Sequence, residues 1–253
     1  PDQAICANQV AKMSLKFDAF SSQKKDNDPL EYEDAYSVKQ VSENEYRFSV
    51  ADGATESSFA RIWAKLLTEG YSEGSKIEDL QAKWTSEIEA MELPWYSKEK
   101  AEQGAFAAFL GVTITGKSDS NRFEILSVGD CCFFQLRNNE IIYSYPLKHS
   151  SEFDNSPALL CSKALPREAT PEFQTESGNW STGDIILLMT DAIASWFLNQ
   201  IEKKKDALER VLKLSNEEEF LELVNTEREA KNEENVPNLK NDDVTLLKIY
   251  LNN

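Results

Sequence analysis

The chain has 253 residues, 41% of them hydrophobic and 10% aromatic. That is enough apolar surface for a folded core, and it excludes disorder as a description of the whole chain. Its 27 basic and 44 acidic residues leave a formal net charge of −17, a field that repels phosphates, so no nucleic-acid and no membrane partner is expected and any phosphate handled here should meet a cation first.

Apolar runs stay well short of the roughly 18 residues that a membrane helix needs, and the first thirty residues carry no recognisable secretory leader. Four cysteines, Cys6, Cys131, Cys132 and Cys161, show neither a disulfide framework nor zinc-site spacing, so a reducing, cytoplasmic location is expected. No repeat or flexible linker divides the sequence, and residues 1–253 read as a single domain.

In chain order, a strand is expected at 35–38, just behind Glu33-Asp34. Tyr46, Phe48 and Val50 alternate with polar neighbours as a second strand that stops at Asp52-Gly53. A helix should follow from Thr55-Glu56, because Phe59, Ile62, Trp63, Leu66 and Leu67 recur at helical spacing, with Gly70 as its stop. A second, antiparallel helix carries Ile77, Leu80, Trp84, Ile88 and Met91 and ends before Pro94. Strands return at 111–115, 123–128, 131–136 and 141–145, the last two joined through Asn138-Asn139 as part of a meander. Residues 146–180, with Pro146, Pro157, Pro166 and Pro171, read as an irregular, flap-like excursion. A short buried strand at 185–189 ends at Thr190-Asp191, helices are expected at 203–214 and 217–224, and a strand at 244–250 closes the chain. Strands and helices in blocks, not in strict alternation, indicate an α+β layered fold.

The informative feature is the placement of acids. Three apolar strands end in an aspartate, at Asp52, Asp130 and Asp191, and two more begin behind acids, at Glu33-Asp34 and Asp242-Asp243. In antiparallel pairing the end of one strand lies beside the start of its neighbour, so all five positions can meet at one sheet edge. Carboxylates so crowded repel one another unless protons or cations intervene. An oxygen-only donor set favours Mg²⁺ or Mn²⁺ over zinc, and two such ions suit hydrolysis of a phosphate ester.

In order and spacing the segments Glu33-Asp34-Ala35, Val50-Ala51-Asp52-Gly53, Ser127-Val128-Gly129-Asp130, Leu188-Met189-Thr190-Asp191 and Asp242-Asp243-Val244-Thr245-Leu246 resemble the type-2C family of metal-dependent serine/threonine protein phosphatases. The resemblance implies a four-layer αββα sandwich, two antiparallel sheets flanked by helix pairs, with a binuclear metal centre at one end. It implies Asp52 as the carboxylate bridging both metals, the Gly53 carbonyl and Glu33 completing one ion, and Asp191 and Asp242 holding the other. Asp34 and Asp243 take positions behind the ligands that orient metal waters, and Asp130 that of the ligand for a third, weaker metal. The implied activity is hydrolysis of phosphoserine and phosphothreonine on a phosphoprotein substrate by metal-activated water; separately, a monomer is expected.

Three departures qualify the pattern. Pro29 stands where family members carry a phosphate-gripping Arg, and Lys24, Lys25 and Arg61 are the candidates to replace it. Ala54-Thr55-Glu56 supplies no His after Asp52-Gly53, and Ala192 follows Asp191 where glycine is usual. The missing Arg at position 29 and the missing His after Gly53 motivate a rival, a non-catalytic phosphatase-like binding module; a third reading keeps the chemistry but takes small phosphomonoesters. His149 is expected to be a loop residue. Of Cys131-Cys132, strand alternation should bury one and turn the other away.

Overall fold

The computed structural model describes residues 13–54, 59–117, 120–154 and 156–252. In chain order the elements are β1 (Ser14–Ser22), β2 (Ala35–Ser42), β3 (Glu45–Gly53), α1 (Ala60–Glu73), α2 (Ile77–Glu89) and α3 (Trp95–Gln103). Then come β4 (Phe106–Lys117), β5 (Ser120–Val128), β6 (Cys132–Arg137), β7 (Glu140–Tyr145), β8 (Leu160–Cys161), β9 (Gln174–Asn179) and β10 (Ile185–Met189). Helices α4 (Asp191–Glu202), α5 (Ala207–Lys213) and α6 (Glu217–Glu229) precede the last strand, β11 (Val244–Asn252).

The strands form two antiparallel sheets, β1-β11-β10-β6-β7 and β2-β3-β4-β5-β9, with β8 added beside β4. Side-chain alternation explains how they stack. In β10, Ile186 and Leu188 join Leu247 and Ile249 of β11 against Phe48, Val50, Leu110 and Val112 of the other sheet, and that is the central core. Leu187 and Met189 face the opposite way and pack with Ile193, Trp196 and Phe197 of α4 and Phe220 and Val224 of α6. With both faces covered, β10 reads as an unbroken apolar run. On the far side Trp63, Leu66 and Leu67 of α1 and Trp84 and Ile88 of α2 cover Ala51, Ala107 and Phe109. The Trp63 indole N–H donates to the Leu160 carbonyl at 2.9 Å and fastens α1 to β8. The result is the αββα sandwich expected from the sequence.

Several local expectations need correction. Gly70 does not stop α1: a Cβ there would lie 2.5 Å from Leu80 Cδ2, so this glycine serves close approach of α2, and the helix ends at Gly74 with φ 75. The expected helix start at Thr55-Glu56 lies outside the described residues. The helix placed at 203–214 is α5, shorter, and it is preceded by α4, which the sequence reading passed over along with β1 and α3. The excursion at 146–180 is not wholly irregular, since β8 and β9 lie in it and β9 pairs with β5 at a sheet edge. Cys131 and Cys132 do face opposite ways, but both are fully buried, one between the sheets and the other under the helices. The Asn138-Asn139 turn is as expected, both residues having left-handed φ of 53 and 60.

Candidate metal centre

Strand register brings the acids together. Ala35 pairs with Ala51 in the β2–β3 ladder, so one further step sets Asp34 opposite Asp52. In the other sheet Met189 pairs with Cys132, and the same ladder carried two residues on sets Asp191 opposite Asp130. Ser22 pairs with Val244, and two residues on Lys24 faces Asp242. The acids therefore come from both sheets and meet at one end of the sandwich, not along the edge of a single sheet. Asp52 lies within the field of Asp34, Asp191 and Asp242 and shares a side-chain hydrogen bond with Asp191. Burial first, and then those neighbouring charges, push its carboxyl well above the usual range.

Asp34 is 4% exposed. Its Oδ2 accepts from Thr190 Oγ1 at 2.9 Å and from Thr245 Oγ1 at 2.8 Å, while its Oδ1 is buried without a partner. Thr245 Oγ1 also makes a short contact with the Tyr32 hydroxyl, which ties the loop before β2 to β11. Burial raises the Asp34 carboxyl well above the ordinary value, with Asp243 and Asp191 adding to the rise and the two hydroxyls opposing it. Asp130, also buried, is pushed up to about 7 by desolvation and then by Asp191.

Asp243 has a different environment. Its oxygens accept from the Lys24 N–H at 2.8 Å and the Glu33 N–H at 2.7 Å, so it crosslinks the loop after β1 to the loop before β2. Asp242 takes Lys24 Nζ at 2.9 Å on Oδ1 and Lys240 Nζ at 2.8 Å on Oδ2. Burial alone would raise its carboxyl, but Lys240 and Lys24 outweigh that and leave it below the ordinary value. Lys24 Nζ is also 4.0 Å from Glu33, and Lys240 Nζ 3.9 Å from Asp191. Gly53 is needed for close approach: a Cβ there would lie 2.8 Å from the Glu33 carbonyl and 3.0 Å from Ala60 Cβ.

The family model for protein phosphatase 2C matches residues 23–234. The chain belongs to the protein phosphatase 2C family.

Its fold is similar to that of the serine/threonine phosphatase Stp1 from Staphylococcus aureus, at 13% identity and a TM-score of 0.63, covering 95% of this chain and 96% of that one. The Mycobacterium tuberculosis serine/threonine phosphatase PstP/Ppp aligns at 14% identity and a TM-score of 0.59, over 94% and 99% of the two chains. The photosystem II phosphatase PBCP aligns at 16% identity and a TM-score of 0.55, again over 94% and 99%. No curated protein matches by sequence.

As a protein phosphatase 2C, the chain is a metal-dependent enzyme, and its donor set suits a hard divalent cation. The acid end offers carboxylate oxygens, together with the Gly53 carbonyl, and an unpartnered buried oxygen on Asp34. Among the described residues no three acidic, His or Cys side chains already stand as a ready ligand set. The ammonium groups of Lys24 and Lys240 hold the Asp242 oxygens instead. Sequence reasoning gave no role to Thr190, Thr245, Tyr32, Lys240 or Arg228. Each of the first four adjoins a quoted acid or lies within two residues of one, which is the signal that could have found them. Arg228 lies far along α6 and reaches the site through the Asp242 and Gln23 carbonyls.

Proposed function

We infer that this chain hydrolyses phosphoserine and phosphothreonine on proteins, using two divalent cations, Mg²⁺ or Mn²⁺, held by Glu33, Asp52, the Gly53 carbonyl, Asp191 and Asp242. The observation that carries the reading is the convergence of Asp34, Asp191 and Asp242 on Asp52 from both sheets. A fold relative, the catalytic domain of the serine threonine protein phosphatase PstP, was solved in complex with two manganese ions, which supports the number and kind of ion. Asp130 is the residue for a third, weaker ion. When bound, such ions neutralise phosphoryl oxygens and lower the pKa of water.

The chain's own residues do the positioning. Asp34 has one oxygen saturated by two hydroxyls, so its Oδ1 is the oxygen left to orient a water at the acid end. Asp243 acts through the backbone, holding the Lys24 and Glu33 loops at the spacing the ligands require. On the same reading residues 1–253 act as one domain, a cytoplasmic monomer; among the described residues no helix is long and apolar enough to cross a membrane. The test is phosphate release from a phosphoserine peptide with Mn²⁺ by wild type, Asp52→Asn and Asp191→Asn. Equal activity in all three defeats the reading.

A further inference from the structure

We propose that Lys24 and Lys240 grip the phosphate of the substrate, as a pair of ammonium groups that exchange the Asp242 carboxylate for the incoming phosphate. The proposal rests on the phosphatase reading above and adds the residues that bring a dianion to a nest of carboxylates. A chain of net charge −17 repels such a substrate, and the acid end repels it most. Two cations nevertheless stand inside that end, each bridging acids on different segments. Lys24 spans Asp242 and Glu33 at 2.9 and 4.0 Å, and Lys240 spans Asp242 and Asp191 at 2.8 and 3.9 Å.

The two ammonium groups already bind an anion in a bidentate manner, one on each Asp242 oxygen. A phosphate presents the same feature, two oxygens on one centre, with more charge. An ammonium is a point charge with three rotatable donors, so it can change acceptors without a fixed planar geometry. Asp242 is also a proposed metal ligand, and a cation on its oxygens would displace both ammonium groups from that carboxylate.

The lysines are prepared to different degrees. The Lys24 side chain is 15% exposed, and its backbone is pinned: its N–H donates to Asp243 Oδ1 at 2.8 Å, and the Gln23 carbonyl before it accepts from Arg228 at 3.0 Å. The Lys240 side chain is 65% exposed and is tethered only two residues from Asp242, which suits a group that closes over a bound anion. Lys25 points elsewhere, with Nζ 3.1 Å from Glu229 on the surface.

The experiment uses the full chain. Mn²⁺ binding is measured first by calorimetry, and then binding of inorganic phosphate to the Mn²⁺-saturated protein, for wild type, Lys24→Met, Lys24→Arg, Lys240→Met and Lys25→Met. Loss of a charge-assisted contact should weaken phosphate binding about tenfold to a hundredfold in Lys24→Met and about threefold to tenfold in the more exposed Lys240→Met. KM for a phosphopeptide should rise in parallel, Lys24→Arg should retain most of the affinity, and Lys25→Met should match wild type. Mn²⁺ should bind several-fold tighter to Lys24→Met, which lacks a cation competing for Asp242. If Lys24→Met does not fold, Lys240→Met, altered at a mostly exposed side chain, carries the test. Variants that bind Mn²⁺ and hold phosphate as tightly as wild type overturn this proposal alone. A wild type that takes up no Mn²⁺ overturns the phosphatase reading and this proposal with it.

Discussion

Strand β10 begins behind one aspartate and ends at another, and its two ends solve the problem of burying charge in opposite ways. At the start, Asp184 is 1% exposed and fully served: Arg137 Nε and Nη2 donate at 2.8 Å each, Gln135 Nε2 at 2.7 Å and the Ser181 N–H at 2.9 Å. Burial would raise its carboxyl, but Arg137, Ser181 and Gln135 prevail and hold it below the ordinary value. At the other end Asp34, Asp52 and Asp130 are raised, and Asp34 keeps an oxygen with no partner. A buried aspartate by itself therefore marks nothing. The functional end is recognised by unmet demand for positive charge, the structural end by its satisfaction.

The widest separation between the two ends should appear in activity. Asp52→Asn is expected to lower phosphate release on the order of 10³-fold, while the metal-free chain melts a few degrees higher because the cost of protonating a carboxyl among other acids is gone. A lower melting temperature in that variant breaks the comparison. Thr245→Val removes one of the two hydroxyls on Asp34 and the anchor of Tyr32, and it should lower kcat about 10–100-fold with KM little changed. Thr245→Ser should restore most of that loss, which a purely structural role in packing would not predict.

At the opposite end Asp184→Asn should reverse the pattern, with activity per folded molecule kept and stability lowered by about 2 kcal/mol, because a buried acceptor of several hydrogen bonds is lost. Denaturant melts of the metal-free protein will show it. The pH dependence separates the ends more gently. Folded Asp34, Asp52 and Asp130 hold protons that the unfolded chain releases, so metal-free stability should fall as pH rises from about 4 through 7, the value for Asp130. The contribution of Asp184, whose carboxyl is lowered, is present above about pH 4 and lost as pH falls through its folded value. Saturating Mn²⁺ should flatten the first slope and leave the second. His149→Ala should change neither, since that side chain is 69% exposed beside Glu202.

The legibility of the sequence follows the same physics. Asp52, Asp191 and Asp242 were readable because each lies at the end of an apolar strand or within two residues of it, and strand ends are where antiparallel ladders bring distant residues together. Helices α1 and α2 were readable because Trp63, Leu66 and Leu67, and Leu80, Trp84 and Ile88, bury one stripe each. Helix α4 was not, because Ala192, Ile193, Ala194, Trp196, Phe197, Leu198 and Gln200 are all buried and leave little polar face to set a period. Helix α3 fails for the converse reason, with Ala101 its one buried residue. Strand β1 depends on β11, more than two hundred residues away, and Lys24 and Lys240 acquire their place only through that pairing and the turn before it. Register, not composition, supplies the cations.

The adjacent thiols of Cys131 and Cys132 lie in different layers, and Cys161, 5% exposed, sits at the far side where the α2 residue Gln81 donates to its carbonyl at 3.1 Å. Desolvation raises these three thiols, the ones among the described residues, and keeps them unreactive while the sandwich is closed. Alkylation must then wait for each layer to open. The three labelling rates act as separate clocks for the breathing of the inner core, the α4–α6 face and the α1–α2 face, with no probe added to the chain.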